Sequence, residues 1–260
     1  MDMLMDIGCG PGLASLGLAS RFAHAIGIDP SQGMISAARS VQVVTAIQEP
    51  VRFEVAAAED LGTDLIPPVA EASIDLVVAA NAAHWFDMPK FWAQAARMLR
   101  PGGTVAMWAS GEVRVHQSMP YAAAMQAAID EHYEQYLKPY QASGNLLARN
   151  RYRDLLLPWT LDPPLADFEK ASLFRKERDV GENFFAGIQA MSLKTYERVM
   201  STASPVSRLR TDRPSAAGTE QDVVRILRRR LERILCDAGL NPDEEMKGDV
   251  QGVMLMVKMK

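Results

Sequence analysis

Cysteine is scarce in this sequence: only Cys9 and Cys236 are present, and they lie far apart. Two distant cysteines provide neither the framework of a small disulfide-rich domain nor the paired C-x-x-C spacing of a zinc site. The sequence therefore predicts free thiols and no metal site.

Positive charge is not in excess either. There are 28 Lys and Arg residues against 32 Asp and Glu residues, which gives a net charge of −4. Proteins that bind nucleic acid or anionic lipid over a broad surface carry a basic excess, so we expect neither partner. The basic run Arg228–Arg230 lies among acidic residues of an amphipathic pattern, which favours a solvated helix face.

Long hydrophobic runs are also absent. The longest apolar stretches, such as DLVVAANAA at 75–83, fall short of the roughly 18 residues that a membrane-spanning helix needs. The first residues lack the basic region of a secretory signal peptide. We therefore expect a cytoplasmic protein.

The sequence contains enough hydrophobic residues to form a core, since they make up 48% of its 260 residues. We expect one domain over 1–260. Its first half alternates short β-rich runs with helical patterns, which is typical of parallel strands joined by crossover helices. The predicted strands are MLMDI (3–7), AHAIGI (23–28), VRFEVAA (51–57), IDLVVAA (74–80) and GTVAMWA (103–109).

The pattern changes after Gly111, where prolines interrupt the helical stretches. We interpret 112–166 as a helical and loop insertion over the ligand edge of the sheet. The remaining predicted elements are a strand at 168–178, a helix at 180–200, a loop at 201–218, a helix that follows the cap pair Thr219 and Asp222 and ends at Gly239, and a last, antiparallel strand at 252–260. The predicted fold is α/β, with a mostly parallel seven-stranded sheet.

A glycine-dense turn, MDIGCGPG at 5–12, follows the first predicted strand. Such a turn lets a ligand approach the backbone while helix N–H groups face it, which is typical of nucleotide-like ligands. A dinucleotide fingerprint, G-x-G-x-x-G, would need glycine where Leu13 stands, which disfavours a nicotinamide-dependent oxidoreductase. A turn that merely packs a helix on a strand could have the same glycines.

Asp29 ends the second predicted strand, about 20 residues after the glycines, where a carboxylate can accept hydrogen bonds from both ribose hydroxyls. N-capping of the next helix is the alternative role, although Ser31 could cap that helix as well. Spacing and chemistry together favour a ribose contact.

The run D-x-G-x-G-x-G from Asp6 to Gly12 resembles the first motif of class I S-adenosylmethionine-dependent methyltransferases. The segment NAAHWFDMPKFWAQAARMLRPGGTVAMW at 81–108 is similar to the trans-aconitate methyltransferase-like branch of that family, including its fungal small-molecule members. RYRDLLLP at 151–158 resembles a further segment of the branch. The family's N-terminal helical segment does not precede the turn here, so we expect an open site that binds cofactor weakly.

The resemblance implies a Rossmann-like class I methyltransferase fold with S-adenosylmethionine as cofactor. It places the methionyl ammonium near Asp6 and the adenine near Ala58 and Glu59, while the glycines leave room for the methionyl moiety and the ribose. The implied cofactor-binding residues are Asp6, Gly8, Gly10, Gly12, Asp29, Ala58, Glu59 and Ala80.

Methyl transfer from a sulfonium is an in-line displacement, so orientation and exclusion of water matter most. A carboxylate acceptor is already ionised at neutral pH and needs a positive clamp rather than a base. Arg149, Arg151 and Arg153 are candidates for the clamp because guanidinium pairs with carboxylate, and structural ion pairs are their alternative role.

A hydroxyl acceptor would instead need a base, for which His84, beyond the fourth strand, is the candidate. Packing beside the cofactor is the other interpretation of His84, and Trp85 could wall the acceptor pocket or belong to the core. A carboxylate acceptor predicts a rate that is flat from about pH 6 to 8, whereas activation by His84 predicts a rise near 6.5.

The sequence thus predicts an enzyme that methylates a carboxylate or hydroxyl oxygen of a small molecule, in secondary metabolism. The alternative is a binding or cyclisation protein that keeps the fold without transferring methyl.

Overall fold

The structure, a computed structural model, describes residues 1–178, 188–241 and 245–260. It divides into two compact units. Unit 1 comprises Met1–Ser110, Asn150–Glu177 and Val253–Lys260, and unit 2 comprises Gly111–Arg149 and Arg178–Gly252. Among the described helices, none combines the length and apolar composition needed to cross a bilayer.

Unit 1 is built on a twisted, mostly parallel sheet with the strand order β3-β2-β1-β4-β5-β8-β6. The central strands β1 and β4 are almost continuously apolar because a parallel strand is covered on both faces, whereas the edge strand β3 carries Arg52 and Glu54. The strands are β1 (Met3–Ile7), β2 (His24–Asp29), β3 (Arg52–Val55), β4 (Ile74–Ala80), β5 (Leu99–Val115), β6 (Phe168–Arg178) and β8 (Met246–Met259), the last three of which also contribute residues to unit 2.

Strand β1 lies between β2 and β4, with Leu4 paired to Ala25 on one side and Leu76 on the other. The connecting helices are α1 (Leu13–Leu18), α2 (Gln32–Ser40) and α3 (Met88–Met98). The parallel register brings the carboxyl ends of β1, β2 and β4 to one edge of the sheet, where ligands bind in open α/β sheets.

Two helices of unit 1 begin at side-chain caps. Ser31 accepts a hydrogen bond from the backbone N–H of Met34 (3.4 Å), and Asp87 accepts one from that of Lys90 (3.3 Å). These caps satisfy N–H groups that a helix leaves without intrahelical partners, and they fix where α2 and α3 start.

The segment 150–168 belongs to unit 1 and is held there by Trp92 of α3. The indole N–H of this buried residue donates to the carbonyl of Leu156 (2.9 Å), and its ring packs edge-on against Phe168 with centroids 5.0 Å apart. An aromatic side chain with a satisfied N–H therefore anchors this segment to the core.

Unit 2 is mainly helical and has cores of its own. Its helices are α4 (Ala122–His132), continued by a π-helical turn at Tyr133–Leu137, α5 (Ser143–Arg149), α6 (Leu193–Met200), α7 (Ser204–Asp212) and α8 (Val223–Asp237). Strand β7 (Ile188–Met191) pairs antiparallel with the first part of β8. Buried side chains from α4, α6 and α8, including Met125, Tyr196 and Leu231, form one core cluster.

The predicted fold class is confirmed: the sheet is mostly parallel and its C-terminal strands are antiparallel. The described residues contain eight strands rather than seven. The additional strand, β7, lies within the predicted helix 180–200, where Ser192 caps α6 and so starts the helix later. Residues 180–187 of that predicted helix lie outside the described residues.

The predicted loop 201–218 is also wrong in part, because it contains α7. Pro205 lies in the first turn of that helix, where its missing N–H removes no hydrogen bond. Of the predicted insertion 112–166, residues 112–149 fall in unit 2 and 150–166 in unit 1. The organisation of 1–260 as one domain with an insertion stays a prediction.

Candidate functional site

The turn between β1 and α1 lies close to the segment that follows β4. Gly8 has φ +62°, and a Cβ placed on it would lie 2.5 Å from the Cβ of Ala82. The left-handed backbone favours glycine, and Ala82 leaves no space for a Cβ at this position. The turn can therefore pack only with glycine here.

Gly10 and Gly12 differ in their surroundings. A Cβ on Gly10 (φ +53°) would meet nothing within 4 Å, whereas one on Gly12 (φ +84°) would lie 3.1 Å from the Phe53 ring. Gly10 therefore borders open space, and Gly12 is a packing position at the start of α1.

The carboxylate of Asp29 links the end of β2 to the glycine turn. Its Oδ2 accepts a hydrogen bond from the backbone N–H of Gly10 (3.0 Å), and its Oδ1 accepts one from that of Ser31 (2.8 Å). The capping side chain of α2 is Ser31 and not Asp29. Each carboxylate oxygen retains acceptor capacity after these bonds, which leaves Asp29 able to accept from a ligand hydroxyl.

These elements enclose a cavity of about 660 Å³ at the carboxyl ends of the strands. Six of the predicted cofactor residues line it: Gly8, Gly10, Asp29, Ala58, Glu59 and Ala80. Asp6 and Gly12 do not. Trp85 lines the cavity and is 49% exposed, so it is a wall residue rather than a core residue.

Sequence reasoning missed Met34, Asn81 and Phe86, which also line the cavity. Asn81 directly follows β4, Met34 lies in the first turn of α2, and Phe86 directly precedes Asp87, the cap of α3. Their position shortly after the carboxyl ends of β2 and β4 is the available signal. The Asn81 side-chain oxygen accepts hydrogen bonds from the backbone N–H (2.7 Å) and hydroxyl (3.0 Å) of Ser110, and so joins the ends of β4 and β5.

Glu59 is held in place at the cavity by the segment before α3. Its Oε1 accepts a hydrogen bond from the backbone N–H of Asp87 (2.7 Å). The described charged side chains lining the cavity, Asp29 and Glu59, are both acidic. This charge favours a cationic ligand and disfavours a phosphate.

Asp6 is fully buried behind the turn. The hydroxyl of Ser15 donates to its Oδ2 (2.6 Å), while no described group hydrogen-bonds its buried Oδ1. Burial raises the pKa of this carboxyl to about 6. One carboxyl oxygen of Asp6, Oδ1, thus has no described hydrogen-bond donor.

His84 lies in a short 3₁₀ turn, Ala83–Trp85, directly after β4. Its Nδ1 is 2.9 Å from the hydroxyl of Tyr152, and burial lowers its pKa to about 4. His84 is not among the residues that line the cavity, although its ring packs against Trp85 with centroids 4.8 Å apart.

The predicted arginine clamp is divided between the units. Arg151 and Arg153 lie together in unit 1, where both pair with Glu177 (3.1 and 2.9 Å). Arg149 lies in unit 2, where it pairs with Glu112 and stacks 3.8 Å above the Tyr133 ring. All three arginines therefore make ion pairs. Sequence reasoning overlooked Tyr152, which stands between two of them in the quoted RYR run.

A family model described as a methyltransferase domain matches residues 5–107. A Saccharomyces cerevisiae protein named as an S-adenosylmethionine-dependent methyltransferase is 36% identical over 105 residues, covering 40% of this chain and 34% of that protein. A malonyl-[acyl-carrier protein] O-methyltransferase from Dechloromonas aromatica is 32% identical over 116 residues, 44% of this chain and 38% of that protein. The chain spans little more than a third of the length of these relatives.

A solved structure described as a type II methyltransferase from Anaeromyxobacter dehalogenans has a TM-score of 0.65 and 25% identity, covering 98% of this chain and 88% of that one. The segment matched by the family model, 5–107, includes every predicted cofactor residue. Residues 5–107 are thus similar to a methyltransferase domain, and the fold is that of the class I S-adenosylmethionine-dependent methyltransferases.

Proposed function

We propose that this chain transfers a methyl group from S-adenosylmethionine to an oxygen atom of a small-molecule acceptor, as an enzyme of secondary metabolism in the trans-aconitate methyltransferase-like branch. A carboxylate is the favoured acceptor group, ahead of a hydroxyl. The observation that carries the proposal is the cavity in unit 1, where the open backbone at Gly10 and the carboxylate of Asp29 lie side by side.

The residues present fit this cofactor. The cavity volume of about 660 Å³ lies within the range of roughly 300–1,000 Å³ that is typical of small-ligand sites. The acidic lining residues Asp29 and Glu59 suit a sulfonium cation, and the exposed Leu13 occupies the position where a pyrophosphate would need glycine. Asp6 is buried and does not line the cavity, so its placement near the methionyl ammonium rests on the family resemblance alone.

The cofactor supplies an electrophilic methyl group when bound. Within this chain, Asp29 would accept from the ribose hydroxyls through its remaining lone pairs, and Ala58 and Glu59 would contact the adenine. The turn around Gly10 would border the methionyl moiety. Trp85 and Phe86 add apolar wall to the cavity, which helps to exclude water from the reacting atoms.

Oxygen is the favoured methylated atom for two reasons. The Dechloromonas relative is named as an O-methyltransferase of a malonyl group. A carboxylate oxygen is also anionic at neutral pH, so this chain would need only to orient it in line with the methyl group.

The proposal is tested by incubating the full chain with S-adenosylmethionine labelled in its methyl group and with matched pairs of carboxylic acids and alcohols. We expect label in products of the carboxylic acids, as methyl esters that mild base hydrolyses, since ethers survive such treatment. Asp29→Asn should lower the yield by weakening cofactor binding, and Asp64→Asn, an exposed aspartate away from the cavity, is the matched control.

Two results would contradict the proposal. Calorimetry could find no binding of S-adenosylmethionine, or binding could occur while no acceptor and no small-molecule extract takes up label. The second result would favour a binding or cyclisation protein that keeps the fold.

A further inference from the structure

Tyr152 and His84 form a buried pair in unit 1 that the cofactor cavity does not explain. The side chain of Tyr152 is 1% exposed, and its hydroxyl lies 2.9 Å from His84 Nδ1. The ring centroids of the two residues are 5.9 Å apart. The pair lies beside Trp85, which does line the cavity.

The backbone at Tyr152 is strained. Arg151 and Tyr152 have φ +53° and +55°, so two consecutive non-glycine residues occupy the left-handed region. Such a conformation persists only where surrounding contacts enforce it, and it is concentrated at functional sites.

An arginine enforces this conformation. The guanidinium of Arg175 donates to the carbonyls of Arg151 (2.6 Å) and Tyr152 (3.4 Å), and it pairs with Glu177 (2.7 Å). The same carboxylate also pairs with Arg151 and Arg153. A chain of charged contacts thus holds the Tyr152 phenol against the imidazole.

The contact between the Tyr152 hydroxyl and His84 Nδ1 bears on which ring nitrogen of His84 carries the proton. A buried hydroxyl needs an acceptor for its hydrogen, and the acceptor that the described residues provide is His84 Nδ1. A nitrogen that accepts is unprotonated, so the neutral imidazole carries its hydrogen on Nε2. No described residue hydrogen-bonds Nε2.

We infer that Tyr152 is a positioning residue that fixes His84 as the Nε2–H tautomer, so that His84 donates a hydrogen bond to an anionic oxygen of the acceptor and does not accept its proton. This inference rests on the proposed function and narrows the acceptor class to carboxylates. A hydroxyl acceptor would need the opposite tautomer, which would leave the Tyr152 hydrogen without an acceptor.

The tautomer is measured directly by ¹⁵N NMR of the full chain with labelled histidine at pH 7. The chain has four histidines, so His84→Gln identifies the His84 signals by their loss. We expect a protonated Nε2 and an unprotonated Nδ1. In Tyr152→Phe, which keeps the ring, the preference for Nε2–H should fall by at least about tenfold, the equivalent of one lost hydrogen bond.

Tyr196→Phe is the matched control, since it removes another buried phenol hydroxyl, in unit 2, and should leave the His84 signals unchanged. A His84 protonated on Nδ1, or the same tautomer in Tyr152→Phe as in the parent, would overturn the assignment. Neither measurement needs cofactor or acceptor. A chain that fails to transfer methyl would therefore contradict the proposed function but would leave the assigned tautomer of His84 unchanged.

The donor role is tested by comparing two substitutions with a carboxylic acid as acceptor. Gln provides a side-chain N–H but no base, so His84→Gln should keep at least about tenfold more activity than His84→Ala. Since burial lowers the pKa of His84 to about 4, the parent's rate should be flat from about pH 5.5 to 8. Equal loss in both variants, or methylation of alcohols only, would overturn the donor role.

Discussion

At the scale of single residues, Asp29 joins two neighbouring pieces of the site. Its two oxygens accept the backbone N–H groups of Gly10 and Ser31, so it fixes the glycine turn relative to the start of α2. A carboxylate held by two N–H donors has a fixed orientation and keeps lone pairs for a third donor from a ligand. Asp29 therefore positions the glycine turn, and the proposed function gives it a binding role as well.

Substitution of Asp29 by Ala should weaken S-adenosylmethionine binding by about 1.5–3 kcal/mol, the usual range for hydrogen bonds to a charged group. Asn keeps one acceptor oxygen, so Asp29→Asn should lose less. Calorimetric titration measures both, and Asp64→Ala controls for the loss of an exposed negative charge. A folded Asp29→Ala that binds cofactor as tightly as the parent would disprove the ribose contact.

Sequence spacing was sufficient to identify Asp29 but not Tyr152. Asp29 ends a parallel strand next to the one that carries the glycine turn, and this rule of α/β sheets can be applied without coordinates. Tyr152 meets His84 across 68 positions of sequence through a strained turn held by Arg175. No local pattern encodes such a contact, so sequence reasoning chose the charged neighbours Arg149 and Arg153 instead.

At the scale of elements, the strand–turn–helix unit of β1 and α1 places two glycines with similar backbones in different surroundings. Gly8 (φ +62°) lies against Ala82, and Gly10 (φ +53°) lies against open space. An added methyl group therefore has different consequences at the two positions: it clashes at Gly8, and at Gly10 it enters the volume that the ligand would use.

Gly10→Ala should cost about 1 kcal/mol of unfolding free energy, the penalty of a left-handed non-glycine residue, and should abolish measurable cofactor binding. Gly8→Ala adds the clash with Ala82 and should cost at least about 1 kcal/mol more than Gly10→Ala. Gly8→Ala combined with Ala82→Gly should recover part of that stability. Denaturant unfolding and calorimetry measure these effects, and equal costs at the two glycines would contradict the packing described here.

The elements of the first half could be predicted because buried parallel strands are nearly continuous apolar runs bounded by glycine or acidic residues. The second half was less predictable. β7 is a four-residue strand, Ile188–Met191, that exists through its antiparallel pairing with β8. α7 begins at a Ser-Pro pair that resembles a loop signal but is equally suited to a first helical turn.

At the scale of the whole molecule, three buried groups dominate the pH dependence of stability between pH 5 and 6. Burial lowers the pKa of His84 and His132 from 6.5 to about 4, and it raises the pKa of Asp6 from 3.8 to about 6. The histidine contributions to stability are fully present above pH 6.5 and are lost as the pH falls towards 4. The Asp6 contribution is present below pH 3.8 and is lost as the pH rises through 6.

Between pH 5 and 6 the unfolded chain holds about two protons on these histidines, and the folded chain holds about one on Asp6. The free energy of unfolding should therefore rise with pH by about 1.4 kcal/mol per unit in this window. The double substitution of His84 and His132 by Gln leaves Asp6 as the titrating group and should reverse the slope, whereas Asp6→Asn should roughly double it. Denaturant unfolding at pH 5.0, 5.5 and 6.0 measures all three slopes. A double variant whose slope equals that of the parent would show that neither histidine is buried in its neutral form.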